Sequence, residues 1–197
     1  MDVRTEILRG TEGRRRLDEL AALRIGVFRD FPYLYDGDID YERRYLDKYA
    51  TSPNSVFVLA VTTADDRVVG AATGLPLVEA DAEFQQPFLT HGLDPGTVFY
   101  FGESVLDRRW RGRGLGHAFF DGREAFARAL GFAVTAFCAV VRPADHPARP
   151  DDYRPLDAFW NARGYFPVDG MVTRYHWRDL DEEEESAKTM QFWLRRA

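Results

Sequence analysis

Arg111-Gly112-Arg113-Gly114-Leu115-Gly116 follows the apolar stretch 98–106 across the short connector Asp107-Arg108-Arg109-Trp110. The apolar stretch reads as a strand and the residues from Leu115 to Leu130 as a helix. Three glycines alternating with two arginines therefore lie at a strand-to-helix turn. Glycine at alternate positions lets the backbone approach a bulky anion with no Cβ in the way. A helix start adds unpaired N–H groups and the positive end of the helix dipole. This turn is suited to cradling a diphosphate, so a phosphorylated cofactor is expected.

Known phosphate loops narrow the choice. A dinucleotide fingerprint needs G-x-G-x-x-G. Counting from Gly112 and Gly114, the third glycine position is occupied by His117. The nucleotide-triphosphate loop needs a Gly-Lys pair, and the chain has none. What remains is R-x-x-G-x-G, carried by Arg111, Gly114 and Gly116 between 99–106 and the helix opening at Leu115. In this context the pattern resembles the coenzyme A loop of the GNAT N-acetyltransferase superfamily. The resemblance covers roughly residues 55–178 and weakens toward both ends.

Composition sets bounds on this reading. The chain has 197 residues, with 45% hydrophobic and 29% charged, which suits one domain with a sizeable core. A single domain over 1–197 is expected. The net charge of −6 argues against nucleic-acid binding, which favours a basic face. The basic cluster of Arg108, Arg109, Arg111 and Arg113 is accounted for more simply by cofactor phosphates. Cys138 is the only cysteine, so no internal disulfide forms, and its apolar setting suits a buried small hydrophobe. No apolar run is long enough to span a membrane, and the start Met1-Asp2-Val3-Arg4 is not a secretory signal, so a cytoplasmic location is expected. His146 has no second histidine at ligand spacing, so no metal is expected.

Periodicity outlines the remaining elements. A strand is expected over 3–9 and an amphipathic helix over 13–28, with Leu17, Leu20, Leu23 and Val27 on one face. A second helix is expected over 40–50, two strands over 55–62 and 68–77, and a short helical segment over 79–91. After the loop and its helix come a buried strand over 132–141 and a short helix over 156–163, ended by Gly164. An antiparallel pair over 173–177 and 190–194 completes the order. The acidic run 179–185 reads as a solvated segment. The resemblance implies a mixed α/β (α+β) fold, with a mostly antiparallel central sheet flanked by helices and a splayed strand pair that admits coenzyme A.

The resemblance also implies acetyl transfer from acetyl-CoA to an amine, by direct attack within a ternary complex. An alkyl ammonium has a pKa of about 10.4, so a base must take its proton. Glu103 is the candidate base: it is the one carboxylate in the neutral stretch 98–106, where burial would raise its pKa. A structural Glu paired with an arginine is the competing reading. The resemblance places the coenzyme against Val105, Leu106, Arg111, Gly112, Arg113, Gly114, Leu115, Gly116 and His117. Family members often carry a tyrosine near the coenzyme sulfur, four residues before a Gly-aromatic pair. Here Trp160 takes that place ahead of Gly164-Tyr165, and an indole N–H cannot serve as a proton-transfer acid. Trp160 is counted as a coenzyme contact, and Tyr153 becomes the candidate acid.

The long segment 142–155 is expected to border the acceptor site together with 31–35 and 79–91. A small-molecule amine is the expected partner, with a monomer and a homodimer both open. Two other readings stay open: a coenzyme A-binding module without catalysis, and an acetyltransferase acting on a protein or peptide.

Overall fold

The computed structural model describes residues 2–196. Its centre is a seven-stranded sheet: β1 (Val3–Arg9), β2 (Val56–Thr62), β3 (Val68–Pro76), β4 (Val98–Leu106), β5 (Val134–Val140), β6 (Phe166–Trp177) and β7 (Ser186–Arg196). The spatial order is β1-β2-β3-β4-β5-β7-β6. Every neighbouring pair is antiparallel except β4 with β5. The expected fold class is therefore observed.

Alternation along β2 shows how the layers form. Phe57, Leu59 and Val61 face one side, where they pack with Leu20 and Ala21 of α1 (Leu17–Phe28) and with Leu46, Tyr49 and Ala50 of α2 (Ile39–Thr51). Val56, Val58 and Ala60 face the other, against Phe119, Phe120, Phe126 and Ala127 of α4 (Leu115–Ala129). A strand buried on both faces has no polar side to show, and β2 accordingly reads as a continuous apolar run. Two shorter helices complete the fold. Phe84 and Phe88 of α3 (Ala82–Thr90) pack on Tyr100, Met171 and Phe192. α5 (Asp157–Ala162) covers the region of Phe137 and Trp193 with Trp160.

Several element boundaries differ from the sequence expectation. The helix expected over 13–28 divides into a 3-10 turn, Gly10–Arg16, and α1. A Cβ on Gly13 would lie 2.4 Å from the Phe57 ring, so the chain makes a close approach there before the regular helix begins. The helical segment expected over 79–91 is a 3-10 turn, Leu77–Glu79, followed by α3. β5 is shorter than expected, because the chain leaves α4 through Gly131 at φ +86° and joins the sheet only at Val134. The final hairpin is far longer than its apolar cores. Exposed Phe166, Val172 and Arg174 continue the β6 pairing, and a register shift between Pro167 and Val172 accommodates the irregular stretch.

Two features of the sheet position the site. β4 and β5 pair only at Val98–Tyr100 with Val134–Ala136, and beyond that the two strands part into a wedge. The register of β4 on β3 also shifts: Ala72 faces Ser104, whereas Gly74 faces Phe101. Gly102 and Glu103 thus stand together opposite Thr73, as a β-bulge.

Candidate active site

The loop after β4 is held from below. The Asp107 carboxylate accepts the Arg109 backbone N–H at 3.0 Å and caps the turn Arg108–Trp110, which buries Trp110. Arg113 lies over the Trp110 ring at 4.8 Å. Gly112 and Gly114 have φ +75° and +78°, and Gly114 is the N-cap of α4. A side chain is strained at such angles, whereas glycine adopts them freely. A Cβ built on either glycine meets no atom within 4 Å, so the loop is open on its exposed side. Among the described residues, the backbone N–H groups of Gly112, Arg113, Gly114, Leu115 and Gly116 have no hydrogen-bond acceptor. Five unpaired donors at an open helix N-terminus fit the diphosphate of a coenzyme.

Other expected coenzyme contacts surround this loop. Val105 and Leu106 end β4 on the stretch that β5 does not pair. The side chain of Val105 packs toward α1 and α2, and that of Leu106 toward the α4 face. His117 is exposed on the first turn of α4, where its Nδ1 lies 3.2 Å from Arg163 and its ring meets Phe159 edge-on. Trp160 is half-buried against Phe137 and Trp193, each ring centre 5.0 Å away.

The bulge creates the second half of the site. Tyr100 faces the α3 side of the sheet and Phe101 the α4 side. Regular alternation would put Glu103 on the α4 side with Phe101. The extra residue turns it instead to the side of Val105, which packs against α1 and α2. There Glu103 lines a cavity of about 80 Å³ together with Arg24, Glu42, Tyr45, Tyr100 and Tyr175. Gly102 makes the turn feasible, since a Cβ there would sit 2.0 Å from the Tyr49 hydroxyl oxygen. From the opposite face, buried Arg123 of α4 donates to the carbonyls of Glu103 (3.1 Å) and Thr73 (3.3 Å) and to Ser104 Oγ (2.8 Å). These bonds satisfy carbonyls at the irregularity that ladder pairing leaves open. Burial lowers the Arg123 pKa to about 10, so it remains charged at neutral pH.

Glu103 is 6% exposed and Glu42 is fully buried. Arg24 bridges them, with Nη1 2.7 Å from Glu103 Oε2 and Nε donating to Glu42 Oε2. The guanidinium stacks over the rings of Tyr45 (4.2 Å) and Phe28 (5.0 Å). Burial works against the Arg24 charge, but Glu103, Tyr45 and Glu42 hold its pKa well above the ordinary value. Burial pushes the Glu103 carboxyl upward, Arg24 pulls it down, Glu42 pushes it up again, and the net displacement is upward. Glu103 Oε1 has no hydrogen-bond partner, and neither does Glu42 Oε1.

This geometry has counterparts among known proteins. A family model described as acetyltransferase (GNAT) family matches residues 22–150. The chain belongs to the GNAT acetyltransferase family. No curated protein sequence matches it. Solved structures share the fold at low identity. A GNAT-family acetyltransferase from Staphylococcus aureus aligns with TM-score 0.60 at 13% identity, covering 98% of this chain and 99% of that one. A ribosomal-protein-alanine N-acetyltransferase from Brucella melitensis aligns with TM-score 0.59 at 13% identity, with the same coverage of 98% and 99%. A chain of the NatC complex bound to Gag peptide and CoA aligns with TM-score 0.56 at 11% identity, covering 100% of this chain and 99% of that one.

The structure of this GNAT protein separates the sequence-derived residues into groups. The loop residues 111–116 form one continuous surface, and Glu103 lies in the buried cavity. Tyr153 does not line that cavity; its ring meets Phe31 edge-on at 4.7 Å, with Arg149 above it at 4.9 Å. Segment 142–155 contributes no lining residue either, but Arg142 at its start donates to the Pro32 and Tyr33 carbonyls at 2.8 Å and pairs with Asp179. It thereby fixes the 31–35 turn, whose Tyr33 and Tyr35 do line the cavity. Sequence reasoning missed Arg24 and Glu42. Their signal was present: Arg24 lies four residues after Leu20 and Glu42 four before Leu46, each on the buried face of its helix. Among the described residues no cluster of three or more metal-ligating side chains occurs, and no helix is long and apolar enough to cross a membrane.

Proposed function

We propose that this protein transfers an acetyl group from acetyl-CoA to the amine of a small molecule, by direct attack in a ternary complex, with Glu103 as the base. The observation that carries this reading is the free Oε1 of Glu103. Its other oxygen is committed to Arg24, while Oε1 is buried without a hydrogen bond, on a side chain that lines the cavity. A carboxylate with an upward-shifted pKa is a better match for taking a proton from an ammonium than an exposed one.

The backbone N–H groups of residues 112–116 would hold the diphosphate, and the unpaired edge of β4 at Val105 and Leu106 would lie along the pantetheine arm. Arg111 and Arg113, both exposed, add positive charge at the loop. When bound, acetyl-CoA supplies a thioester carbonyl carbon to which the amine nitrogen bonds as the C–S bond breaks. An ammonium loses two protons on becoming an amide: Glu103 takes one, which frees the nitrogen lone pair, and the second balances the proton that the departing sulfur gains. Tyr153 is the candidate for returning a proton to sulfur; burial raises its pKa, so the phenol is protonated at neutral pH. The Tyr41 and Tyr175 hydroxyls meet at 2.6 Å in the cavity wall, and a cavity of about 80 Å³ supports a small acceptor over a protein chain.

Calorimetry with acetyl-CoA, paired with thiol release over a panel of amines, tests this. One-to-one binding with amine-dependent thiol release is the expected result. Binding without release from any amine would leave a coenzyme-binding module, and absence of binding would remove the loop assignment as well.

A further inference from the structure

Buried Arg123 directs its charge at the backbone rather than at a carboxylate. It is 1% exposed, and among the described residues it forms no ion pair; its hydrogen bonds go to carbonyl and hydroxyl oxygens. Nε donates to the Phe119 carbonyl one turn earlier on α4 at 3.1 Å, so the guanidinium is tied to its own helix. It lies over the rings of Phe101 (4.2 Å) and Phe120 (4.9 Å). Nη1 reaches the Thr73 and Glu103 carbonyls together, and Nη2 reaches Ser104 Oγ. These three acceptors belong to the residues at which β3 and β4 change register. Packing alone would be served by an apolar side chain, without the cost of burying a charge.

The bulge decides which way Glu103 faces. Regular alternation would put its carboxylate on the α4 side, the side of Arg123 itself. In the bulge, Arg123 takes the Glu103 carbonyl instead, and the carboxylate lies on the other side with Arg24. Two buried cations, Arg24 and Arg123, thus stand on opposite sides of β4 against two buried carboxylates, Glu42 and Glu103. Burial raises the Glu103 pKa most, Arg24 lowers it, Glu42 raises it, and Arg123 lowers it from the far face. The other titratable groups on the Glu103 side are phenols: Tyr41, Tyr45 and Tyr49 of α2, Tyr100 of β4, Tyr175 of β6, and Tyr33 and Tyr35 of the 31–35 turn. Burial raises the pKa of each, so they stay neutral while Glu103 titrates.

We infer that Arg123 is a positioning residue: through the Thr73 and Glu103 carbonyls it holds the β4 bulge that turns Glu103 away from α4, toward Arg24 and the cavity. This rests on the reading of Glu103 as the base. Arg123 acts through the backbone of the base and from the opposite face of the sheet, so it touches neither substrate nor coenzyme. Without it, two buried carbonyls lose their donor, and the register that keeps Glu103 on its side of the sheet is no longer favoured.

The test follows the Glu103 carboxyl directly. Protein labelled with 13C at the glutamate side-chain carboxyl is titrated by NMR, and the Glu103 signal is assigned by its loss in Glu103→Gln. Thiol release from acetyl-CoA is measured beside it, with the amine of the panel that the wild type turns over fastest. Arg123→Met removes the charge and the donors. Its Glu103 midpoint should rise by about half a pH unit or more, less than a charge in direct contact would give. Its kcat should fall about tenfold or more, as a displaced base meets the amine poorly, while calorimetry shows acetyl-CoA affinity nearly unchanged. Arg123→Lys keeps the charge with a shorter reach to the carbonyls. Its midpoint should stay near wild type and its kcat fall about threefold or more. An unmoved midpoint in Arg123→Met, or wild-type kcat in Arg123→Lys, overturns the inference and leaves acetyl transfer standing; should Arg123→Met fail to fold, the Lys variant decides. A raised midpoint in Arg123→Met, with no amine turned over by the wild type, supports the hold of Arg123 on Glu103 and removes the reading of Glu103 as the base.

Discussion

The glycine-rich loop after β4 and the cavity around Glu103 are built in opposite ways. The loop is a short consecutive stretch, 111–116, exposed and working mainly through its backbone. The cavity is assembled from side chains of α1, the 31–35 turn, α2, α3, β4, β6 and β7, which lie as far apart in the chain as Arg24 and Met190. A backbone-built site depends on φ and on space, so its sensitive positions are glycines. A side-chain-built site depends on charge balance in low dielectric, so its sensitive positions are the ionised groups.

The largest expected effect separates the two halves. Glu103→Gln keeps the shape of the side chain and removes the proposed base, so turnover should fall by about 10²–10⁴-fold, the usual contribution of general base catalysis. Calorimetry should show acetyl-CoA affinity nearly unchanged; a parallel loss of affinity would mean that the halves are one coupled unit. The wild-type pH profile adds a sign. The Glu103 pKa is raised, so kcat/KM should climb with pH as this carboxyl loses its proton, through a range above that of an ordinary Glu. Stability should run the other way in this region. The folded chain holds the Glu103 proton more tightly than the unfolded chain, so lowering the pH through the raised value favours folding as far as this group is concerned.

Next in size is Arg24→Met. It leaves Glu42 and Glu103 buried beside each other without the cation that bridges them, which typically costs about 3–5 kcal/mol when one partner of a buried pair is removed. Denaturant unfolding at neutral and mildly acidic pH should show the loss and its partial recovery as a carboxyl protonates. A loss under 1 kcal/mol would mean that water reaches the triad freely and that the cavity is less dry than its burial implies.

Gly114→Ala tests the other half on its own terms. No atom stands in the way of the new Cβ, so steric collision is not the issue. The cost is the left-handed conformation at φ +78°, about 1–2 kcal/mol. Acetyl-CoA affinity should fall about tenfold on that scale, while kcat at saturating acetyl-CoA stays close to wild type. A drop in kcat with intact affinity would place this glycine in the chemistry rather than in the cradle.

The same contrast explains what could be read before folding. The loop was legible because its signal is local: spacing, glycines and flanking apolar runs lie within a few turns of chain. The succession of strands and most helices is legible from periodicity, as in α2 with Tyr41, Tyr45, Leu46 and Tyr49, whereas the mostly antiparallel sheet is what the family resemblance implies. Glu103 stands out in the sequence as an isolated carboxylate, but its facing is not readable there, because strict alternation points it to α4. Only the register of β3 against β4, a long-range property, turns it to the side of α1 and α2. Arg24 and Glu42 belong to helices whose polar residues are mostly solvated. What marked them was position on the apolar face, a signal that becomes decisive only when the partner is known to be Glu103.

Tyr153→Phe is the smallest expected effect. The substitution removes one hydroxyl and keeps the ring that packs against Phe31 and beneath Arg149, so stability should change by less than about 0.5 kcal/mol. Its influence on rate depends on where the departing sulfur finds a proton. Tyr153 lies outside the cavity that holds Glu103, although it touches the turn that places Tyr33 there. If solvent can also protonate the thiolate, loss of the hydroxyl should lower kcat by less than about tenfold, below the usual range for a positioned acid. A loss of 100-fold or more, with acetyl-CoA affinity intact and the alkaline side of the pH profile altered, would make the phenol the obligatory donor. The 142–155 segment would then act in the chemistry itself, beyond bracing the 31–35 turn through Arg142, and the wall of the acceptor site would have to close further over bound coenzyme.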